Sequence, residues 1–299
     1  MSAVARAVVF VAAAFAAVSL LTACAAPDAR ASAPSPSSAP TVAAGEPSGE
    51  PAGDPVALVG LWRVSGAVGE GSETWLRLGA GELVLWRECG ILHGAWTAAD
   101  RAFLAQIFGW SGSCSMDSPV VPWLDAAASY RAAGDGWQLL DPEGRVVASL
   151  AIDGAPQPID TADPSFAETP VIDERVRASF ADVPPLPAGL RPATSADLAG
   201  RWIPAGISVS TDPHVEFMAG RAWRGSDGCN GQAARWTLES DGRMLTTGGL
   251  STSIGCEGAD VPGWVSGTRL VGFEGAELVL LDRDAVELGR LVRERAEAP

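Results

Sequence analysis

Between residues 56 and 152, and again between 196 and 295, short runs of alternating apolar and polar residues recur about every ten positions, with glycine-rich turns between them. Thr74-Trp75-Leu76-Arg77-Leu78 alternates in this way, and so does Val215-Glu216-Phe217. Residues 82–87 and 221–224 lead into cysteine-bearing turns, and residues 94–97 and 234–238 lead out of them. Period two between turns predicts an antiparallel meander. The alternation lapses later in each stretch. Residues 118–128 predict a short helix capped by Ser118 with Pro119 in its first turn, and residues 260–268 predict a weaker counterpart burdened by two glycines. Further strands follow at 129–131, 137–140 and 146–152, and at 269–273, 277–281 and 286–292. The predicted fold is α+β: two tandem small domains, each a curled, mostly antiparallel sheet with one helix.

The two stretches are copies of one module. Trp62 lies 27 residues before Cys89, and Trp202 lies 27 before Cys229. Trp96 and Trp236 each follow their cysteine by seven. A second cysteine (Cys114, Cys256), a tryptophan (Trp123, Trp264) and a Leu-Leu-Asp ending at Asp141 and Asp282 complete the series, with offsets of 140 to 142 throughout. Rare residue types do not hold register over that span by chance. Each module has the size of a small domain, which is marginal in stability without a covalent staple.

What surrounds the modules differs from them in composition. Arg6 precedes an apolar run at residues 7–21, too short for a comfortable membrane span but the length of a signal-peptide core. The run ends in Leu21-Thr22-Ala23-Cys24, which resembles the lipobox of bacterial lipoproteins. That resemblance implies a signal peptide over residues 1–23, cleavage before Cys24 and lipidation there. The protein would then sit at the cell membrane, lipid-anchored on the extracytoplasmic face. Each buried methylene of the acyl chains contributes about 0.8 kcal/mol to anchoring. Residues 24–55 are rich in Pro, Ala and Ser with few large apolar side chains, so they read as a disordered tether. Residues 153–195 carry Pro156, Pro158, Pro164, Pro170, Pro184, Pro185, Pro187 and Pro192. They read as a linker, with a short helix within residues 171–180, and so long a linker predicts variable domain geometry.

Lipidation of Cys24 leaves four cysteines, which allow three pairings. Equivalent modules make equivalent bridges, so the repeat selects Cys89 with Cys114 and Cys229 with Cys256. An export signal supplies the oxidising compartment. The spacings are not those of a zinc knuckle, and no Cys-x-x-Cys is present.

Net charge is −15, and every cation among the 21 is arginine. An acidic chain without a basic patch argues against nucleic acid and against anionic lipid surfaces as partners. Absence of lysine removes Schiff-base and Ser-Lys chemistry.

Four segments of the second module form a recognisable set: Leu198-Ala199-Gly200-Arg201-Trp202, Gly228-Cys229-Asn230, Leu250-Ser251-Thr252 ahead of Cys256, and Leu278-Val279-Leu280-Leu281-Asp282. Together they resemble the META domain, also called the HslJ-like domain, over about 95 residues. The first module departs from it, with Cys89-Gly90-Ile91 at the cysteine turn and no threonine at the matching place before Cys114. It is read as a diverged copy. The resemblance implies a compact mixed α/β fold, a place among envelope lipoproteins and secreted proteins, no established enzymatic activity, and a loose link to stress and antibiotic tolerance.

Candidate sites are few. Of eleven tryptophans, the six that recur between modules read as core. Trp75, Trp86, Trp110, Trp137 and Trp223 have no tryptophan counterpart and are the candidate ligand surface. Asn230, the single asparagine, reads as a turn residue tolerating positive φ. His93 and His214 lack a nucleophile or carboxylate partner in any motif, so no catalytic set is read, and no metal or cofactor. Asp282 and Asp284 fit a solvated turn better than a calcium site. The reading is a non-enzymatic surface lipoprotein whose partner is an unknown envelope protein or small ligand. The alternative rests on Gly-x-Trp on a first strand, which also opens lipocalin-like and protease-inhibitor barrels; an internal apolar cavity would favour it.

Overall fold

A computed structural model describes residues 53–114, 120–255 and 257–294. The first module contains β1 (Gly60–Ser65), β2 (Trp75–Leu78), β3 (Glu82–Arg87), β4 (Gly90–Ala99), β5 (Ala102–Gly112), α1 (Pro122–Ala126), β6 (Ser129–Ala133), β7 (Gly136–Leu140) and β8 (Val146–Ala151). These eight strands form a closed antiparallel barrel in sequence order. β1 returns to β8 through Arg63↔Ala151, Val64↔Leu150 and Ser65↔Ser149.

The intervening segment holds α2 (Glu174–Ser179), β9 (Arg191–Pro192) and α3 (Ser195–Leu198). The second module contains β10 (Gly200–Pro204), β11 (His214–Met218), β12 (Ala222–Ser226), β13 (Gly231–Leu238), β14 (Met244–Thr246), α4 (Val261–Gly267), β15 (Leu270–Glu274), β16 (Glu277–Leu281) and β17 (Glu287–Arg293). Its sheet runs β14-β13-β12-β11-β10-β17-β16-β15-β9. The sheet curls until Arg243 bridges Leu270. The closing hydrogen bonds are equivalent in the two modules. Phe103 N–H donates to Ala128 O and Tyr130 N–H to Arg101 O in the first; Met244 N–H donates to Arg269 O and Val271 N–H to Gly242 O in the second. The fold is therefore α+β, two curled antiparallel sheets each with a short helix against its core, and neither sheet borrows a core strand from the other module.

The alternating pattern explains which side chains point inward. Along β4, Leu92, Trp96 and Ala98 are buried while His93, Ala95 and Thr97 are half-buried. The first interior is filled by Trp62, Leu76, Leu85, Trp96, Phe103 and Trp123, among others; the second by Trp202, Phe217, Trp223, Trp236, Val261 and Leu280. Each module opens on one helical turn whose last carbonyl accepts the indole N–H of the first tryptophan. Trp62 Nε1 donates to Leu58 O at 2.8 Å, and Trp202 Nε1 to Leu198 O at 2.7 Å. The second of these turns, α3, has a capping box between Thr194 and Asp197.

Three expectations are corrected. First, β5 is a full strand of 11 residues that the alternation did not predict. It pairs along all of β4, with a register shift between His93 and Gly94 that breaks its period. Second, α1 begins only at Pro122, with Val121 in the cap position and no side-chain cap bond; Ser118 and Pro119 lie outside the described residues. The counterpart predicted to be weaker, α4, is the longer helix, because Asp260 accepts a hydrogen bond from Gly263 N–H at 3.0 Å.

Third, the proline-rich segment is not a loose spacer. Ile159, Ala162, Phe166 and Ala167 lie on an outer patch of the first barrel formed by Leu61, Trp75, Val84, Trp86 and Ile91. Ile172, Val176 and Phe180 pack on the first core, with the Phe180 ring 5.1 Å from that of Trp96. Val183, Leu186 and Leu190 cover Leu270, Val279 and Leu281 of the second module. A few large apolar residues spaced between prolines suffice to fasten a strap once an apolar surface awaits them.

The two apolar cores remain separate clusters, and the modules meet through polar contacts. Arg235 donates to Asp125 Oδ1 at 3.1 Å, Asp125 O at 2.7 Å and Ala105 O at 3.2 Å, and Arg221 reaches Asp125 O and Ala127 O, each at 3.3 Å. Both guanidiniums thus sit at the carbonyl end of α1, where cations are favoured. Thr247 Oγ1 donates to Gln106 Oε1 at 3.0 Å, and Arg243 pairs with Asp100 at 2.6 Å. Burial pushes the Asp125 carboxyl up from its ordinary value, against the opposing pull of Arg235 and Arg221.

Candidate functional site

The five unpaired tryptophans do not form a face. Trp75 and Trp86 lie beneath the strap, and Trp223 is fully buried in the second core. Trp137 is half-buried, its ring 5.6 Å from Tyr130 and its Nε1 donating to Ala57 O at 3.2 Å. Only Trp110, 42 % exposed on β5 opposite Leu92, presents its ring to solvent. The expectation of a tryptophan ligand surface is corrected: indoles bury large apolar areas, and the strap turned an outer barrel face into an interior. Of the six repeated tryptophans, five are buried and Trp264 is half-buried.

The cysteine turns are staples. Cys89 and Cys114 are joined, with their Cα atoms 4.8 Å apart, tying the β3–β4 turn to the end of β5. Cys229 is likewise disulfide-bonded; Cys256, its expected partner, lies outside the described residues. Around Cys229 the chain is organised by two side chains. Asp227 Oδ1 accepts the N–H groups of Cys229 at 2.7 Å and Asn230 at 2.6 Å, and Asp227 Oδ2 accepts Asn230 Nδ2 at 2.7 Å. Asn230 Nδ2 also donates to Ile254 O, and Asn230 Oδ1 accepts from Thr252 Oγ1 and Ile254 N–H. Asn230 therefore clamps the loop after β14 to the cysteine turn. The positive φ of this turn, 109°, belongs to Gly228 and not to Asn230. A side chain at Gly228 would also collide with Thr211, 2.4 Å from the position of its Cβ. The hydrogen bonds from Asn230 and Cys229 hold the Asp227 carboxyl below the ordinary carboxylate value.

His93 packs edge-on to Phe166 at 5.3 Å, and His214 Nδ1 lies 2.8 Å from Asp212 O. The two imidazoles stand in different modules, each in its own structural contact. The Asp282 carboxylate accepts the N–H groups of Asp284 and Val286, both at 2.9 Å, as Asp141 accepts those of Glu143 and Arg145 in the first module. It serves the turn.

A recess gathers charged and apolar groups where the modules meet. Thr97, Ala98 and Asp100 come from the β4–β5 hairpin, Phe180, Asp182 and Val183 from the strap, Glu239, Arg243 and Met244 from the β13–β14 turn, Arg269 from the start of β15 and Arg283 from the β16–β17 turn. Its volume is about 50 Å³, and both apolar and polar groups line it. Burial, and then the like charge of Arg283, lower the Arg269 guanidinium from the ordinary arginine value; it stays cationic at any physiological pH. Sequence reading missed every one of these residues. They come from both modules and the strap, and no motif spacing links them. Compared with known proteins, the chain matches no family model, and neither a curated protein nor a solved structure shows significant similarity to it.

Proposed function

We propose that this protein is a non-enzymatic, lipid-anchored binding protein of the bacterial envelope, built from two META-like (HslJ-like) halves and acting in envelope maintenance or stress. The observation that carries the binding role is the filling of both sheet interiors by their own side chains, Trp62, Trp96 and Trp123 in one and Trp202, Trp223 and Trp236 in the other. On this reading recognition falls to the outer surface, in particular to the recess lined by both modules and the strap. No observation favours the lipocalin-like alternative, which needs an open interior. The anchor rests on the lipobox at Cys24, which lies outside the described residues. Among the described residues no helix is long and apolar enough to cross a membrane.

Fractionation of producing cells tests the anchor. The wild-type chain is expected in the membrane fraction and Cys24→Ala in the soluble envelope fraction or the medium. Mass spectrometry should find the mature N-terminus to be a lipid-modified Cys24; an unmodified N-terminus elsewhere overturns the anchor. The non-enzymatic part predicts that a bound molecule is recovered chemically unchanged, and turnover would overturn it.

A further inference from the structure

The cations of the recess differ in what they face. Arg243 is matched by carboxylates: Asp100 at 2.6 Å, Asp241 at 2.7 Å and Glu239 at 3.7 Å. Arg269 and Arg283 are not. Arg269 Nη1 donates to Thr268 O at 2.9 Å and Ser266 O at 3.4 Å, and Arg283 Nη2 donates to Ala181 O at 3.1 Å. Among the described residues these carbonyls are their polar partners, and a carbonyl dipole supplies no countercharge. The remaining acid on the wall, Asp182, is exposed at the rim and forms no ion pair with either.

This is the reverse of what the composition favours. The chain has 36 acidic residues against 21 cations, and elsewhere arginines collect carboxylates: Arg290 alone meets Glu274, Glu277 and Glu287. Two half-buried guanidiniums left together without an ion pair among the described residues, in a chain with acids in excess, are costly to keep unless something else neutralises them. Their planar forks match a carboxylate or a phosphate group. Beside them the side chains of Phe180, Val183, Met244 and Leu245 offer an apolar wall. The small volume admits a short molecule and not a drug-sized one, which ordinarily needs roughly 300 Å³ or more.

We propose that Arg269 and Arg283 form a binding subsite for the oxyanion, carboxylate or phosphate, of a small extracytoplasmic molecule whose short apolar part lies against Phe180 and Val183. The site rests on the binding role proposed above and names its ligand class. Asp100, Asp241 and Glu239 hold Arg243 away from the ligand, so selectivity for an anion depends on the other two cations.

The test is a titration of the full chain with inorganic phosphate, acetate and butyrate, followed by the guanidinium Nε–H resonances of Arg269 and Arg283. Saturable shifts of both resonances are expected, with phosphate or with carboxylate. In the carboxylate series butyrate should bind more tightly than acetate, through the apolar wall. Arg283→Gln, at a turn on the rim, should weaken binding about tenfold or more. Arg224→Gln, at an exposed pair with Glu216 on β12, should leave it unchanged. No saturable shift with any of the three anions, or equal affinity in Arg283→Gln, overturns the proposal. Because the wild-type resonances report directly, a poorly folding variant does not decide the matter. A failed titration leaves the fractionation result standing, and a protein released from the membrane can still be titrated, so the two readings fail separately.

Discussion

The indole N–H of Trp123 donates to Glu70 Oε1 at 2.7 Å. Trp123 lies on α1 and Glu70 in the loop between β1 and β2, so one hydrogen bond pins the helix plug to a loop across the barrel mouth. The same carboxylate accepts Arg87 Nη2 at 2.6 Å, Arg87 Nε at 2.9 Å and Thr74 Oγ1 at 3.2 Å, with a side chain only 3 % exposed.

Removing that carboxylate should loosen the plug. Glu70→Ala deprives Trp123, Thr74 and Arg87 of a shared acceptor and is expected to destabilise the first barrel by about 2–4 kcal/mol. Glu70→Gln, which keeps an acceptor, should cost less. Urea unfolding followed by tryptophan fluorescence measures both; equal stability of Glu70→Ala and wild type would show that the network is decorative.

The strap sets where the chain can be cut. A fragment of residues 56–152 leaves Trp75, Trp86 and Ile91 bare on the barrel exterior, an exposed apolar patch of the kind that promotes aggregation. A fragment of residues 53–182 keeps Ile159, Phe166, Val176 and Phe180 in place. The longer piece should be soluble and unfold cooperatively, whereas the shorter should aggregate or melt earlier. Light scattering and thermal unfolding compare them, and equivalent behaviour would mean that the strap contributes little.

The bridge Cys89–Cys114 closes a loop with a sequence separation of 25. In the chain-entropy model a loop of that length contributes about 3.5 kcal/mol. Replacing both cysteines by serine should lower the stability of the first module by that order in denaturant titrations. Non-reducing peptide mapping should recover Cys89 linked to Cys114 and Cys229 linked to Cys256; free thiols or a cross-module pair would contradict the duplication.

The Asp227 carboxyl is held below its ordinary value by the hydrogen bonds from Asn230 and Cys229. A carboxyl depressed in the folded state stabilises fully above its unfolded pKa of about 3.9, and that stabilisation is lost as pH falls through the folded value. The stability difference between wild type and Asp227→Ala should therefore stay constant from neutral pH down to about pH 5 and shrink below about pH 4. Urea titrations at a series of pH values measure it; a difference that persists unchanged at low pH would remove the carboxylate from the account.

What the sequence determined by itself is what short-range pattern encodes. Period-two alternation around Trp75–Leu78 and His214–Met218 gave strands, and the spacing of Trp62, Cys89 and Trp96 against Trp202, Cys229 and Trp236 gave two equivalent sheets. The same spacing gave the Cys89–Cys114 bridge, because equivalent loops close equivalently. β5 escaped because the register shift at His93 and Gly94 breaks its period. Tertiary structure alone decided which tryptophans are surface: Trp75 and Trp86 sit at outward positions of their strands and are buried only because Phe166 and its neighbours, nearly a hundred residues later, fold back over them. It alone decided the recess. Arg269 and Arg283 are unremarkable in sequence beside Asp284 and Glu287, and only the curl of the second sheet, the path of the strap and the approach of the first module bring them to one wall without an ion pair of their own. Pattern reads contacts between near neighbours, whereas a charge left unpaired is a property of everything that failed to come near it.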